Sequence, residues 1–107
     1  MNSIDEKYSK IFEELDWQWS AVDQNGDIEL ETWSPAGEDV VFDVNADNLV
    51  YEVRCYANNF DVDDHVLMWA EHRGENGVPN SIRELLDDAE AIQDMLNELA
   101  DALYEVR

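Results

Sequence analysis

Ile4, Tyr8, Ile11, Phe12 and Leu15 recur at intervals of three and four residues, the spacing of one face of a helix. Ser3 and Glu6 have the spacing of a capping box, so this stretch predicts a first helix from about Ile4 to Leu15. The period then drops to two. Trp17 to Val22 alternates, Asn25-Gly26 is the signal for a type I′ hairpin turn, and Ile28, Leu30 and Thr32 alternate with Asp27, Glu29 and Glu31. Ser34-Pro35-Ala36-Gly37 marks a second turn, and Val40 to Val44 a third strand. These strands form an antiparallel meander with one apolar and one acidic face.

Helical spacing returns after Asn45. Asn45 or Asp47 can cap a helix whose inner face holds Leu49, Val53, Tyr56, Ala57 and Phe60. Asp61 is the next cap, with Asp63 and Asp64 in a first turn where the helix dipole favours anions. Val62, Val66, Trp69 and Ala70 mark that short helix. Gly74, Gly77 and Pro79 form a loop. Ser81 and Glu84 are a second capping box, followed by the stripe Ile82, Leu85, Leu86, Ala89, Ile92, Leu96, Leu99 and Leu103. Neither Gly nor Pro interrupts it, which predicts about 25 residues of continuous helix. The expected architecture is a single α+β domain over residues 1–107: one N-terminal helix, a three-stranded meander and three C-terminal helices packed on one sheet face.

Charge changes this picture. Asp and Glu number 27 against six Lys and Arg, for a net charge of −21, yet 45% of the residues are hydrophobic. Acid at such density ordinarily opposes compaction; here the apolar pattern is sufficient for a core. Direct binding to nucleic acid or to anionic membrane is excluded in practice, because both need positive charge. No apolar run reaches the ~18–20 residues of a membrane span, and the first residues lack the basic and apolar regions of a secretory signal. The single Cys55 has no partner for an internal disulfide and sits in an apolar helical pattern, as a buried thiol would. A cytoplasmic setting is the expectation.

Candidate chemistry is sparse. Asp43-x-Asn45-x-Asp47 begins like a calcium loop, but Asn48 stands where the glycine belongs and Arg54 where the bidentate glutamate belongs. His65 and His72 share a helix face, at a spacing unlike a zinc pair, and read as partly exposed surface histidines. Neither a phosphate-binding glycine loop nor a nucleophile–base arrangement is present. The reading is a non-enzyme without metal or cofactor.

What remains is acid placed in order. Asp87, Glu90, Asp94, Glu98, Asp101 and Glu105 follow one another at three or four residues on the last helix, with Glu84 and Asp88 beside them. Cations stand only at its ends, Arg83 and Arg107, whereas ordinary solvated helices interleave Glu with Lys. A helix of ~25 residues is ~37 Å long, close to the ~34–36 Å of one turn of duplex DNA. Asp27, Glu29, Glu31, Glu38 and Asp39 add a second acidic set on the exposed sheet face. Trp17, Trp19 and Trp69 fit core positions; Trp33, beside the turn, is the candidate exposed anchor for a protein partner.

The segment Glu31-Thr32-Trp33-Ser34-Pro35-Ala36-Gly37-Glu38 and the helix start Val78-Pro79-Asn80-Ser81-Ile82-Arg83-Glu84-Leu85 resemble small acidic proteins of phages and bacterial mobile elements. That functional type includes anti-restriction and anti-CRISPR proteins, many of them DNA mimics. The resemblance implies an inhibitor that occupies the basic channel of a nucleic-acid-binding defence nuclease. The partner-binding residues would be Asp27, Glu29, Glu31, Trp33, Glu38, Asp39, Asp87, Glu90, Asp94, Glu98, Asp101 and Glu105. The alternative is an acidic interaction module that binds a basic protein without imitating DNA. Either acts as a monomer or as a homodimer paired through the leucine stripe.

Overall fold

A computed structural model describes residues 4–107. Its order is α1 (Glu6–Glu14), β1 (Gln18–Trp19), β2 (Asp27–Trp33), β3 (Asp39–Asn45), α2 (Leu49–Asn59), α3 (Val62–Trp69) and α4 (Ile82–Val106), with short 3-10 turns at Ala46–Asn48 and Ala70–His72. The strands pair antiparallel in the order β1-β2-β3. This is the α+β arrangement expected from the hydrophobic periods.

Helices α1, α3 and α4 each start where a side chain satisfies a free backbone N–H group, whereas α2 has no such cap of its own. Asp5 caps α1 by accepting from the Lys7 N–H; Ser3 of the expected capping box lies outside the described residues. Asp61 accepts from the Asp64 N–H at the start of α3, and Ser81 from the Glu84 N–H at the start of α4. Asn45 caps the 3-10 turn that leads into α2.

Two details of the meander differ from expectation. The first hairpin is not type I′: Gly26 takes φ 83, and Asn25 is not among the residues at positive φ. The Asp23 carboxylate instead accepts from the N–H groups of Asn25 and Asp27, at 2.8 and 2.9 Å, folding a turn closed by a left-handed glycine. Strand β1 is also shorter than Trp17–Val22. At Ser20 the hydroxyl takes the acceptor position that a backbone carbonyl would hold, receiving the Glu29 N–H at 2.9 Å, and the ladder stops there.

In β2 and β3 the register pairs Ile28 with Val44, Leu30 with Phe42 and Thr32 with Val40, all buried. Their core is shared with Phe12 of α1, Val53 and Ala57 of α2, and Ile92, Leu96, Leu99 and Leu103 of α4. Phe42 stacks on Tyr56 with ring centroids 3.9 Å apart, fixing α2 over the sheet. Helix α4 contacts α1, α2 and α3. At ~37 Å, it fits only along the long dimension of a molecule measuring 44 × 26 × 22 Å. Its stripe is narrower than expected: Ile82 and Leu86 are exposed on the flank of the stripe, while Leu85 between them is fully buried. Of the three tryptophans expected inside, Trp17 is buried, whereas Trp19 and Trp69 are half-buried. Cys55 is half-buried rather than buried. Among the described residues no helix is long and apolar enough to cross a membrane.

Candidate functional site

Of the acidic positions on α4, Asp87, Glu90, Asp94, Glu98, Asp101 and Glu105 are all exposed, as the three-four spacing requires when Leu85, Ile92, Leu96, Leu99 and Leu103 are buried. Asp101 is the exception to the lack of pairing: Arg54 crosses from α2 to meet it. The pair is exposed and contributes little to stability. Among the described residues the other five have no cationic group within salt-bridge distance.

The second acidic face lies on the outside of the sheet. Asp27, Glu29 and Glu31 alternate outward along β2, and Asp39 and Asp43 along β3. Register sets Glu29 directly opposite Asp43, a like-charge cross-strand pair that opposes sheet formation. Trp33, 44% exposed, stands opposite Asp39 on this face. It also lines a cleft with Trp17, Trp19, Glu13 and Asp16, an aromatic surface with an acidic rim. Sheet and α4 bury their inner faces in one core, so their acidic faces look outward in different directions and do not merge into one surface.

Glu38 is not on either face. It is 6% exposed, and Asp88, expected beside the acids of α4, is 5% exposed. The reason is register. Glu38 continues the inward alternation of Val40, Phe42 and Val44, and Ser34 continues that of Ile28, Leu30 and Thr32. On α4, Asp88 lies three residues after Leu85 and four before Ile92, inside the apolar stripe. Three polar residues on three inward registers therefore meet at the β2–β3 turn. The Asp88 carboxylate accepts from the Ser34 hydroxyl at 2.6 Å and from the Ala36 N–H at 3.0 Å, and the Glu38 N–H donates to Ser34 Oγ at 3.0 Å. The hydrophobic periods carry this signal, since each of the three residues occupies an inward step of its own element.

His65 of α3 closes the cluster. Its Nε2 lies 3.4 Å from Glu38 Oε1 without hydrogen-bond geometry, and both Nε2 and Glu38 Oε2 are buried without a partner. Burial, and then the neighbouring Asp88 carboxylate, pushes the Glu38 carboxyl up to about 8. Burial holds the His65 imidazole below its ordinary value, against the opposing pull of Asp88. At neutral pH the contact is thus between a carboxylic acid and a neutral imidazole. His65 is half-buried, more enclosed than the partly exposed surface histidine expected; His72 is exposed and pairs with Glu75 at 3.3 Å. Outside this cluster the chain opens into a recess of about 360 Å³ lined by Glu38, Asp39, His65, Trp69, His72 and Glu75, among others. No group of three His, Cys, Asp or Glu is placed to hold a metal ion among the described residues.

Comparison with protein-family models, curated proteins and solved structures returned no match for this chain.

Proposed function

We propose that the protein inhibits a bacterial defence nuclease, a CRISPR effector or a restriction enzyme, by occupying its basic DNA channel as a DNA mimic. The observation that carries this reading is the outer face of α4. Asp87, Glu90, Asp94, Glu98 and Glu105 run along one rigid element, with no cationic partner among the described residues. Carboxylates at three-four spacing step ~4.5–6 Å along the axis, a single-sign line of charge sparser than the ~3.4 Å per phosphate of one strand of duplex DNA. Leaving out i, i+4 Glu–Lys pairs forgoes a few tenths of a kcal/mol each, a cost that a binding role offsets. Long-range attraction to a Lys/Arg-lined channel raises the association rate and makes binding salt-sensitive. In this reading the protein acts in the bacterial cytoplasm and has no catalytic step or cofactor of its own.

The test is direct. Expressed in cells carrying CRISPR or restriction systems, the protein should restore plasmid establishment against a sensitive system. Purified, it should displace duplex DNA from that nuclease. The variant D87K/E90K/D94K/E98K changes four charges by two each, taking the net charge from −21 to −13. It should fold and lose at least tenfold in inhibition. Unchanged inhibition by that variant, or binding indifferent to salt between 50 and 500 mM, would sink the mimicry.

A second reading, an acidic interaction module for a basic protein that binds no DNA, draws on a different feature. Leu67 and Met68 on α3 are 73% and 65% exposed. They stand near Asp63 and Asp64, giving an apolar contact that no nucleic acid offers. A purified partner without nucleic-acid-binding activity would decide for it.

A further inference from the structure

Two residues that line the recess, Glu38 and His65, each carry a polar atom without a partner. Glu38 Oε2 and His65 Nε2 are buried and unpartnered, and groups in that state normally answer to something else, a water, an ion or a ligand. The recess walls narrow the choice. Asp39 and Glu75 stand at the rim and exclude an anion. Trp69 offers an aromatic surface that no ring stacks flat upon: His65 tilts at 53° and His72 meets it edge-on at 66°. At about 360 Å³ the space is at the lower end of the ~300–1,000 Å³ of small-ligand sites. An organic cation with a flat, weakly hydrated head fits carboxyl and indole together; a compact, strongly hydrated ammonium fits them less well.

We propose that this recess receives one guanidinium group, an arginine side chain of a basic protein partner, with Glu38 as its buried counter-charge and Trp69 as its stacking surface. The partner rests on the reading given under Proposed function; the recognition chemistry does not. Glu38 faces His65 from α3, Asp88 from α4 and its own neighbour Asp39, with His72 and Glu75 at the rim. Among the described residues no cationic side chain is within salt-bridge distance of it except His65, which burial keeps neutral. A bound guanidinium supplies the missing charge. Glu38 then ionises as the ligand enters, and one proton is released per site.

The probe is N-acetyl-arginine methylamide, titrated into the intact protein at low salt and followed by tryptophan fluorescence and the NMR shifts of His65. Saturable binding is expected, at least tenfold tighter than that of the lysine analogue. Affinity should rise about tenfold from pH 6.5 to 7.5 as Glu38 gives up its proton. E38Q should bind at least tenfold more weakly and lose the pH dependence; W69L should weaken binding with the pH dependence intact, which covers the case of a misfolded E38Q. D94K/E98K, on the outer face of α4, should leave the probe within about twofold. Equal binding of both probes, wild-type affinity in E38Q and W69L, or absence of saturation overturns the proposal and leaves the unpartnered atoms to water. If α4 reversal spares inhibition while the arginine probe binds as described, DNA mimicry fails and the guanidinium site stands; the converse result separates them the other way.

Discussion

The Ser34 hydroxyl donates to the Asp88 carboxylate at 2.6 Å, joining the β2–β3 turn to α4 across 54 positions of sequence. With the Ala36 N–H on the other carboxylate oxygen, Asp88 holds the turn at two points. D88A removes both acceptors inside a buried site. It should cost about 2–4 kcal/mol in urea denaturation. D88N keeps one acceptor oxygen and should cost roughly half as much.

Glu38 makes stability depend on pH with a definite sign. Its carboxyl is raised from 4.5 to about 8 in the folded chain, so the fold holds a proton that the unfolded chain has released. That stabilisation is complete below 4.5 and is lost as pH rises through about 8. Below 6.5 the depressed His65 acts in the opposite sense, because the unfolded imidazole takes a proton there. Between pH 6.5 and 8 Glu38 dominates the pair, and the fold should lose roughly 1.5–2 kcal/mol. E38Q should remove that slope and be the more stable protein at pH 8. Parallel pH profiles for wild type and E38Q would place the proton elsewhere.

Most of the fold is legible in the periods of the sequence, and the exceptions have physical causes. Helix α4 can be read from Ser81 to its end because cap, stripe and absence of Gly or Pro agree. Strand β1 cannot, since the Ser20 hydroxyl competes with the backbone for the ladder. Exposure of the α4 acids follows directly from the burial of Ile92, Leu96 and Leu99 between them, and only the tertiary reach of Arg54 to Asp101 is hidden. Placing Glu38 and Asp88 at the surface gives residue type more weight than register. A carboxyl on an inward register is expensive to bury, and chain position nonetheless decides where it goes. The recess is beyond reach of the sequence, since it depends on how α3 and the α3–α4 loop come to lie against the β2–β3 turn.

The Glu29–Asp43 pair across β2 and β3 predicts an exchange of stability for charge. D43K places a cation opposite Glu29 and should stabilise the sheet by about 0.5–1 kcal/mol. Wild type should gain stability from moderate NaCl as the repulsion is screened, and D43K should gain less. A larger salt response in D43K would contradict the pairing.

Gly77 predicts a closer coupling between two loops. It has φ 88, and a Cβ there would stand 2.9 Å from the Gly37 carbonyl oxygen and 3.2 Å from its carbon. Gly37 belongs to the turn that Asp88 tethers, and backbone has little room to yield. G77A should therefore cost at least about 2 kcal/mol through the left-handed conformation and the clash together. It should also alter Trp69 fluorescence, because Gly37 and Trp69 line the same recess. An unchanged emission spectrum would show that the two loops are uncoupled.

Helix α4 carries core and charge on a single period, and this limits how its surface can diversify. Apart from Asp101, which meets Arg54, any exposed acid of α4 can be exchanged singly, since its neighbours in contact are solvent. A residue inserted between Ala91 and Ile92 would turn everything beyond it by about 100°, carrying Asp94, Glu98 and Asp101 off the outer face and Leu96, Leu99 and Leu103 out of the core. Lineages of this protein can thus rewrite the charge pattern letter by letter, while the spacing of the letters is held fixed by the leucines behind them.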